Sequence, residues 1–294
     1  MEFLVILLSS VLGLVAPAGL VVDRTAQNAI RSQLQQAERL EVRVDNAPTH
    51  QLLQGKVERV RIAGRGLKLK QQDIRIAALE LETDPIDIAP SSLGKGRLKL
   101  NRSLQAGLHL VLEQQDINKA LQSPTLRSRL RDLNLGDLGG SDDDSQQRYQ
   151  LVNPRVELLA NNRLRFQVQL TAANEKPDDD NSLAITVESG LRVVARRQIQ
   201  LVKPAVYVNR EAVTQQLVNE IATNVSQTLD FRNLEAYGLQ GRILQLNVKP
   251  QKLEIVAFLK VEPSSQLLQS RLSPTQLIYN LPPLTDTITA HRRV

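Results

Sequence analysis

The sequence predicts an α+β protein: a large antiparallel β-sheet, apolar on one face and charged on the other, covered by long amphipathic helices and preceded by an N-terminal apolar helix. Three observations carry this reading. Apolar and charged residues alternate through much of the chain, from Glu41-Val42-Arg43-Val44-Asp45 to a last hairpin ending at Val261. Two stretches without Gly or Pro, 24–40 and 210–229, instead carry aliphatic residues at helical spacing. The run from Phe3 to Val22 holds no charged residue.

Taken in order, residues 1–22 form an apolar segment, read as a membrane anchor or a signal segment. A helix of about 20 residues spans about 30 Å, one bilayer core. Gly13, Pro17 and Gly19 weaken it as a continuous helix, and a helix buried in the soluble fold is the remaining option. Ala16-Pro17-Ala18 loosely fits a small-x-small cleavage site, but no Lys or Arg precedes Phe3 as a secretory signal requires. The first basic residues, Arg24, Arg31, Arg39 and Arg43, follow the run, which by the positive-inside rule favours a body on the cytoplasmic side if the run spans; a secreted reading contradicts that rule, so the side of the membrane stays open.

The main body is placed at 23–262. Its first helix, 24–40, opens at Asp23 and turns Ala26, Ile30, Leu34 and Ala37 to one side. Alternating strands follow at Val60-Arg61-Ile62, Leu67-Lys68-Leu69-Lys70, Asp73-Ile74-Arg75-Ile76, Leu79-Glu80-Leu81-Glu82 and Arg97-Leu98-Lys99-Leu100. Gly64 and Gly66 mark a hairpin, and the slip at Ala77-Ala78 marks a β-bulge. The strand Leu108–Leu112 runs into a helix near 116–131. Acidic loops at Asp142-Asp143-Asp144 and Asp178-Asp179-Asp180 flank strands at 155–158 and 163–170, and further strands cover 183–187 and 191–201. The helix at 210–229 is capped by Asn209 and places Val213, Leu217, Ile221 and Val225 on one face. Strands 243–248 and 253–261 close the body, turning at Pro250. Residues 263–294 read as a polar, flexible tail. Segments 23–100 and 205–262 share a helix-then-meander pattern, a weak internal repeat.

Composition narrows the chemistry. The 294 residues contain no Cys and no Trp, one Met, and only 3% aromatics. This excludes disulfides, Cys-ligated metals and a Cys nucleophile. His50, His109 and His291 are scattered, so no metal site is expected. A net charge of +6 favours anionic partners. Nucleic acid is not expected, because the basic residues alternate with acids and stacking aromatics are scarce. No phosphate-cradling Gly loop, nucleophile elbow or metalloprotease motif is present, and the acidic loops lack calcium-loop spacing. The protein is therefore expected to be no enzyme and to need no cofactor.

Several features together resemble the LmeA-like phospholipid-binding family of bacterial envelope proteins. They are the apolar N-terminus, the entry into Glu41-Val42-Arg43-Val44, the stretch Gly55-Lys56-Val57 through Ile62-Ala63-Gly64, and the strand-to-helix step Leu112-Glu113-Gln114-Gln115-Asp116-Ile117-Asn118-Lys119-Ala120-Leu121. The likeness covers roughly 1–262. It implies an elongated, TULIP-like fold, in which a curved antiparallel sheet wraps a long helix, and a membrane-associated place in the cell envelope. It brings no catalytic residue.

The expected partner is a phospholipid or other acyl lipid, held at a membrane in an aliphatic groove between sheet and helices. Candidate lining residues are Ile30, Leu34, Val60, Ile62, Leu67, Leu69, Ile74 and Ile76, with Val213, Leu217, Ile221 and Val225 on the late helix. Candidate headgroup residues are Arg59, Arg61, Arg65, Lys68 and Lys70. Arg192, Arg196 and Arg197 add basic charge later in the chain. The same residues also fit a filled aliphatic core beneath a solvated charged face. In that case the chain is a structural or scaffolding envelope protein that binds a protein partner.

Overall fold

A computed structural model describes residues 27–28, 30–31, 34–45, 51, 54–70, 75–92, 99–123, 149–172 and 182–265. The apolar run 3–22, both acidic Asp triplets, Ile74 and the tail beyond Ser265 lie outside the described residues.

The first half of the chain builds strands β1 (Leu34–Gln36), β2 (Arg39–Asp45), β3 (Lys56–Val57), β4 (Arg59–Leu69), β5 (Arg75–Thr83), β6 (Ile86–Asp87) and β7 (Leu104–Glu113), followed by helix α1 (Gln114–Leu121). The second half adds β8 (Tyr149–Leu159), β9 (Arg163–Ala172), β10 (Leu183–Val194), β11 (Gln198–Val208) and β12 (Glu211–Ala212). Helix α2 (Gln215–Thr228), a 3₁₀ helix (Phe231–Tyr237), β13 (Leu239–Lys249) and β14 (Lys252–Val261) complete it.

The expected single sheet is two sheets and a small ribbon. The first runs β1-β4-β5-β7-β14-β13, with β2 also on the free edge of β4. The second is the meander β12-β11-β10-β9-β8, and β3 pairs β6. Every pairing between these strands is antiparallel. The second sheet and α2 are an insertion: the chain leaves the first sheet after β7 and returns at β13, and β14 pairs back onto β7.

Pairing explains where the sequence pattern misleads. The expected helix at 24–40 is helical at 27–28 and 30–31, but Leu34 and Gln36 pair with Leu69 and Lys68 as strand. Helix propensity is a weak prior, and an available sheet edge overrides it. Gly64 and Gly66 make no hairpin; β4 runs through both. Gly66 takes a φ of +56° there, and a Cβ on it would overlap the Glu38 carboxyl group. Nor does Ala77-Ala78 shift the register, since Arg65 pairs with Ala78 and Leu67 with Ile76 in one continuous ladder. The stretch 191–201 is a hairpin, turning at Ala195-Arg196 with positive φ at both. Helix α2 starts at Gln215 with Thr214 as its N-cap, not at 210 after Asn209, because Glu211–Ala212 pair with β11 as β12. The two look-alike stretches also differ in setting, with Gly55 in a turn ahead of β3 and Gly241 inside β13.

The inner face of the first sheet is a closely packed aliphatic core. Ile62, Leu67, Ile76, Leu79, Leu104, Leu239 and Ile243 are fully buried, and Ile86, Ile88 and Leu234 cover them from the ribbon, its following residue and the 3₁₀ helix. Each such side chain contributes about 1.5–3 kcal/mol. The outer face is an ionic ladder in which Arg59, Arg61 and Arg65 meet Glu82, Asp45 and Glu80. Such exposed pairs stabilise by about 1 kcal/mol or less.

The edge strand β13 is capped by turns of the second sheet. Ile243 N donates to Arg196 O at 2.7 Å, and Val248 N donates to Asn162 Oδ1 at 2.6 Å. This satisfies edge groups that otherwise invite pairing with another chain. At the tip of the β13–β14 hairpin, Lys252 and Lys249 hold the Glu254 carboxyl down at about 2, below its ordinary value of 4.5. A depressed carboxyl contributes stability above its unfolded value and loses it as the pH falls toward its folded one. Unfolding midpoints measured between pH 5 and pH 2 should therefore fall less steeply in Glu254→Gln than in the wild type.

Candidate functional site

Two places combine exposure with chemistry. The first is the apolar face of the second sheet. Cross-strand pairing lines up Phe166 with Val187, Val168 with Ile185, and Leu170 with Leu183, while Val187 faces Val206 and Ile185 faces Val208. Farther along the same sheet, Leu191 pairs with Leu201 and Val193 with Ile199. Helix α2 lies over this face: Val218 is buried in the cluster with Val168, Leu170, Ile185 and Val206, and Val213 and Ile221 pack against it.

The cover is incomplete. Phe166, Val187 and Val208 on the sheet remain half-buried, as do Val213 just ahead of the helix and Leu217, Ile221 and Val225 on it. Only Val218 and Ser226 of α2 are fully buried. The face continues to the junction of the sheets, where Leu191 touches two further apolar clusters. Leu229, at the end of α2, and Leu244, on β13, are the exposed large apolar residues among the described residues.

The sequence-predicted lining residues divide accordingly. Ile30, Leu34, Val60, Ile62, Leu67, Leu69 and Ile76 are buried together in the core of the first sheet. Leu217, Ile221 and Val225 instead lie on α2, which packs on the second sheet, and Val213 lies just ahead of it, between β12 and the N-cap Thr214. The two sets do not face each other across one groove.

The second place is a polar cleft of about 480 Å³ at the β1 end of the first sheet. It is lined by Gln36 of β1, Lys68 of β4, Arg75 of β5, Asp116 and Lys119 of α1, and Gln122 and Ser123 just beyond. The β1–β4 and β4–β5 ladders set Gln36 opposite Lys68 and Lys68 opposite Arg75. The Arg75 guanidinium donates to Asp116 Oδ2 at 2.8 Å and to Glu38 Oε1 at 2.8 Å, and Glu113 lies 3.5 Å away. Hydrogen bonds to Glu38 and Asp116 raise the guanidinium pKa, fixing its charge. Asp116 is 1% exposed, and its Oδ1 finds no hydrogen-bond partner among the described residues.

Of the headgroup candidates, Lys68 enters this cleft, Lys70 is exposed at its strand end, and Arg59, Arg61 and Arg65 belong to the outer ladder. Sequence reasoning missed Arg75, Asp116 and Lys119. Lys68 and Lys119 are 51 positions apart, and only strand pairing and the β7–α1 step unite them. Their one legible signal was Asp116 at a helix opening.

No group of three or more metal-ligating side chains occurs among the described residues. No described helix is long and apolar enough to cross a membrane. No curated protein and no solved structure shows significant similarity to the chain. A sequence model of LmeA-like phospholipid-binding proteins matches residues 15–258, most of the chain, and the protein belongs to that family.

Proposed function

We propose that the protein is a non-catalytic phospholipid carrier or sensor of the cell envelope, which takes acyl chains from a membrane onto the aliphatic face between α2 and the second sheet. The observation that carries this reading is the incomplete cover of that face, with Leu217, Ile221 and Val225 half-buried opposite a half-buried sheet surface. A core built only for stability gains by closing over such side chains. Family membership supports phospholipid as the ligand.

The energetics suit exchange. Each buried CH₂ contributes about 0.8 kcal/mol in a bilayer or in an apolar groove, so transfer between the two is close to neutral. Membrane docking is supported near the junction of the sheets. Exposed Leu229 accepts a hydrogen bond from Ile199 N, and Ile243, beside exposed Leu244, donates to Arg196 O. Arg196 and Arg197 are exposed at the same turn, Arg197 also helping to hold the Asp230 carboxyl below its ordinary value. Exposed apolar side chains beside exposed basic charge fit an anionic membrane surface.

The test is to purify the full chain from membranes, identify co-purified lipid by mass spectrometry, and measure extraction of labelled phospholipid from vesicles. Bound phospholipid and extraction are expected. Neither lipid nor extraction, with a protein partner recovered by crosslinking, is the outcome that favours a scaffolding role.

A further inference from the structure

We propose that the polar cleft is a binding site for a phosphate-bearing polyol group, with Lys68 and Lys119 holding the phosphate and Asp116 Oδ1 accepting a hydrogen bond from a ligand hydroxyl. The proposal deepens the phospholipid reading and rests on it only for the source of the phosphate.

The charge distribution carries the argument. Arg75 is committed to Glu38 and Asp116, so its charge is already balanced within the protein. Lys68, half-buried, and Lys119, exposed at the rim, line the same cleft and pair with no acid among the described residues. Two like charges facing one cleft repel unless an anion lies between them. Folding gains nothing from that arrangement, whereas a phosphate gains two charge-assisted hydrogen bonds.

Asp116 specifies the rest of the ligand. Its Oδ2 is satisfied by Arg75, while its buried Oδ1 has no donor among the described residues. A deprotonated phosphate has only acceptors and leaves that oxygen unpaired; a neighbouring hydroxyl donates to it. The cleft volume of about 480 Å³ accommodates both parts. Helix α1 also argues for a lipid source, because Ile117 and Leu121 pack into the apolar cluster with Val156, Leu158 and Leu191 while Asp116 and Lys119 line the cleft.

The experiment uses the full chain and two probes: vesicles of phosphatidylglycerol in phosphatidylcholine, set against pure phosphatidylcholine, and soluble glycerol 3-phosphate followed by calorimetry. The double variant Lys68→Gln/Lys119→Gln is expected to bind phosphatidylglycerol vesicles at least fivefold more weakly. Its melting temperature should not fall below that of the wild type, and Lys68→Arg/Lys119→Arg should restore binding. A control that removes equal charge elsewhere, Lys56→Gln/Lys203→Gln, should stay within twofold. If the cleft variant loses glycerol 3-phosphate but not vesicle binding, the site stands and its ligand is a free phosphate ester. That result together with absent lipid extraction would remove the phospholipid reading and leave the site. The proposal is overturned if the cleft and control variants lose vesicle binding equally. It is also overturned if the cleft variant keeps both ligands, or if the wild type neither prefers phosphatidylglycerol nor binds glycerol 3-phosphate.

Discussion

Replacing Ile221 by arginine is expected to reduce phospholipid extraction from vesicles more than tenfold while both sheets stay folded. Ile221 is half-buried on α2 and packs against the cluster of Val168, Leu170, Ile185 and Val206. An acyl chain on this face would meet a guanidinium in place of a methyl surface, and a charge unpaired among aliphatic groups costs several kcal/mol. Leu217→Arg removes the preceding turn of the same stripe and should act in the same direction with a smaller effect on stability. Asn219→Arg, on the exposed side of the helix, serves as the control. Far-ultraviolet circular dichroism reports the fold and fluorescent-lipid extraction the function. Wild-type extraction by both stripe variants would remove α2 from the lipid face.

Arg75→Ala is expected to lower unfolding free energy by about 3 kcal/mol, the cost of breaking a buried ion pair from one side. The magnitude follows from the asymmetry of burial, since Asp116 is 1% exposed whereas Arg75 retains some solvent access. Truncating the arginine strands a buried carboxylate whose Oδ1 is already without a donor among the described residues. Adding Asp116→Ala to that background should recover part of the loss, because the stranded charge disappears with it. Denaturant unfolding of the two single variants and the double variant measures the coupling. A loss under about 1 kcal/mol in Arg75→Ala would mean that water reaches Asp116. The same network links the first sheet to α1, so its loss should also loosen the cleft between Lys68 and Lys119.

Most strand-forming segments were legible because alternation is a local property. Val60 and Ile62 face inward and Arg59 and Arg61 outward, as period two requires. The stripe on α2 was legible for the same reason, at period 3.6. What misled was any feature whose outcome depends on a distant partner. Leu34 reads as helix until Leu69 offers it a sheet edge, and Gly66 reads as a turn until Glu38 needs the space a side chain would fill. The lipid-lining candidates were chosen by apolar character alone, which cannot separate Ile76, fully buried, from Ile221, half-exposed.

By itself the sequence determined the antiparallel strands, the charged outer face, the aliphatic character of every inward surface, and the resemblance that the family match bears out. Those are consequences of residue order over a few positions. Only the tertiary structure decided that the strands form two sheets, that α2 belongs to the second, and that Lys68, Arg75, Asp116 and Lys119 share one cleft. The physical reason is that burial and charge pairing are set by what packs against a residue, and in this chain those neighbours lie tens of positions away.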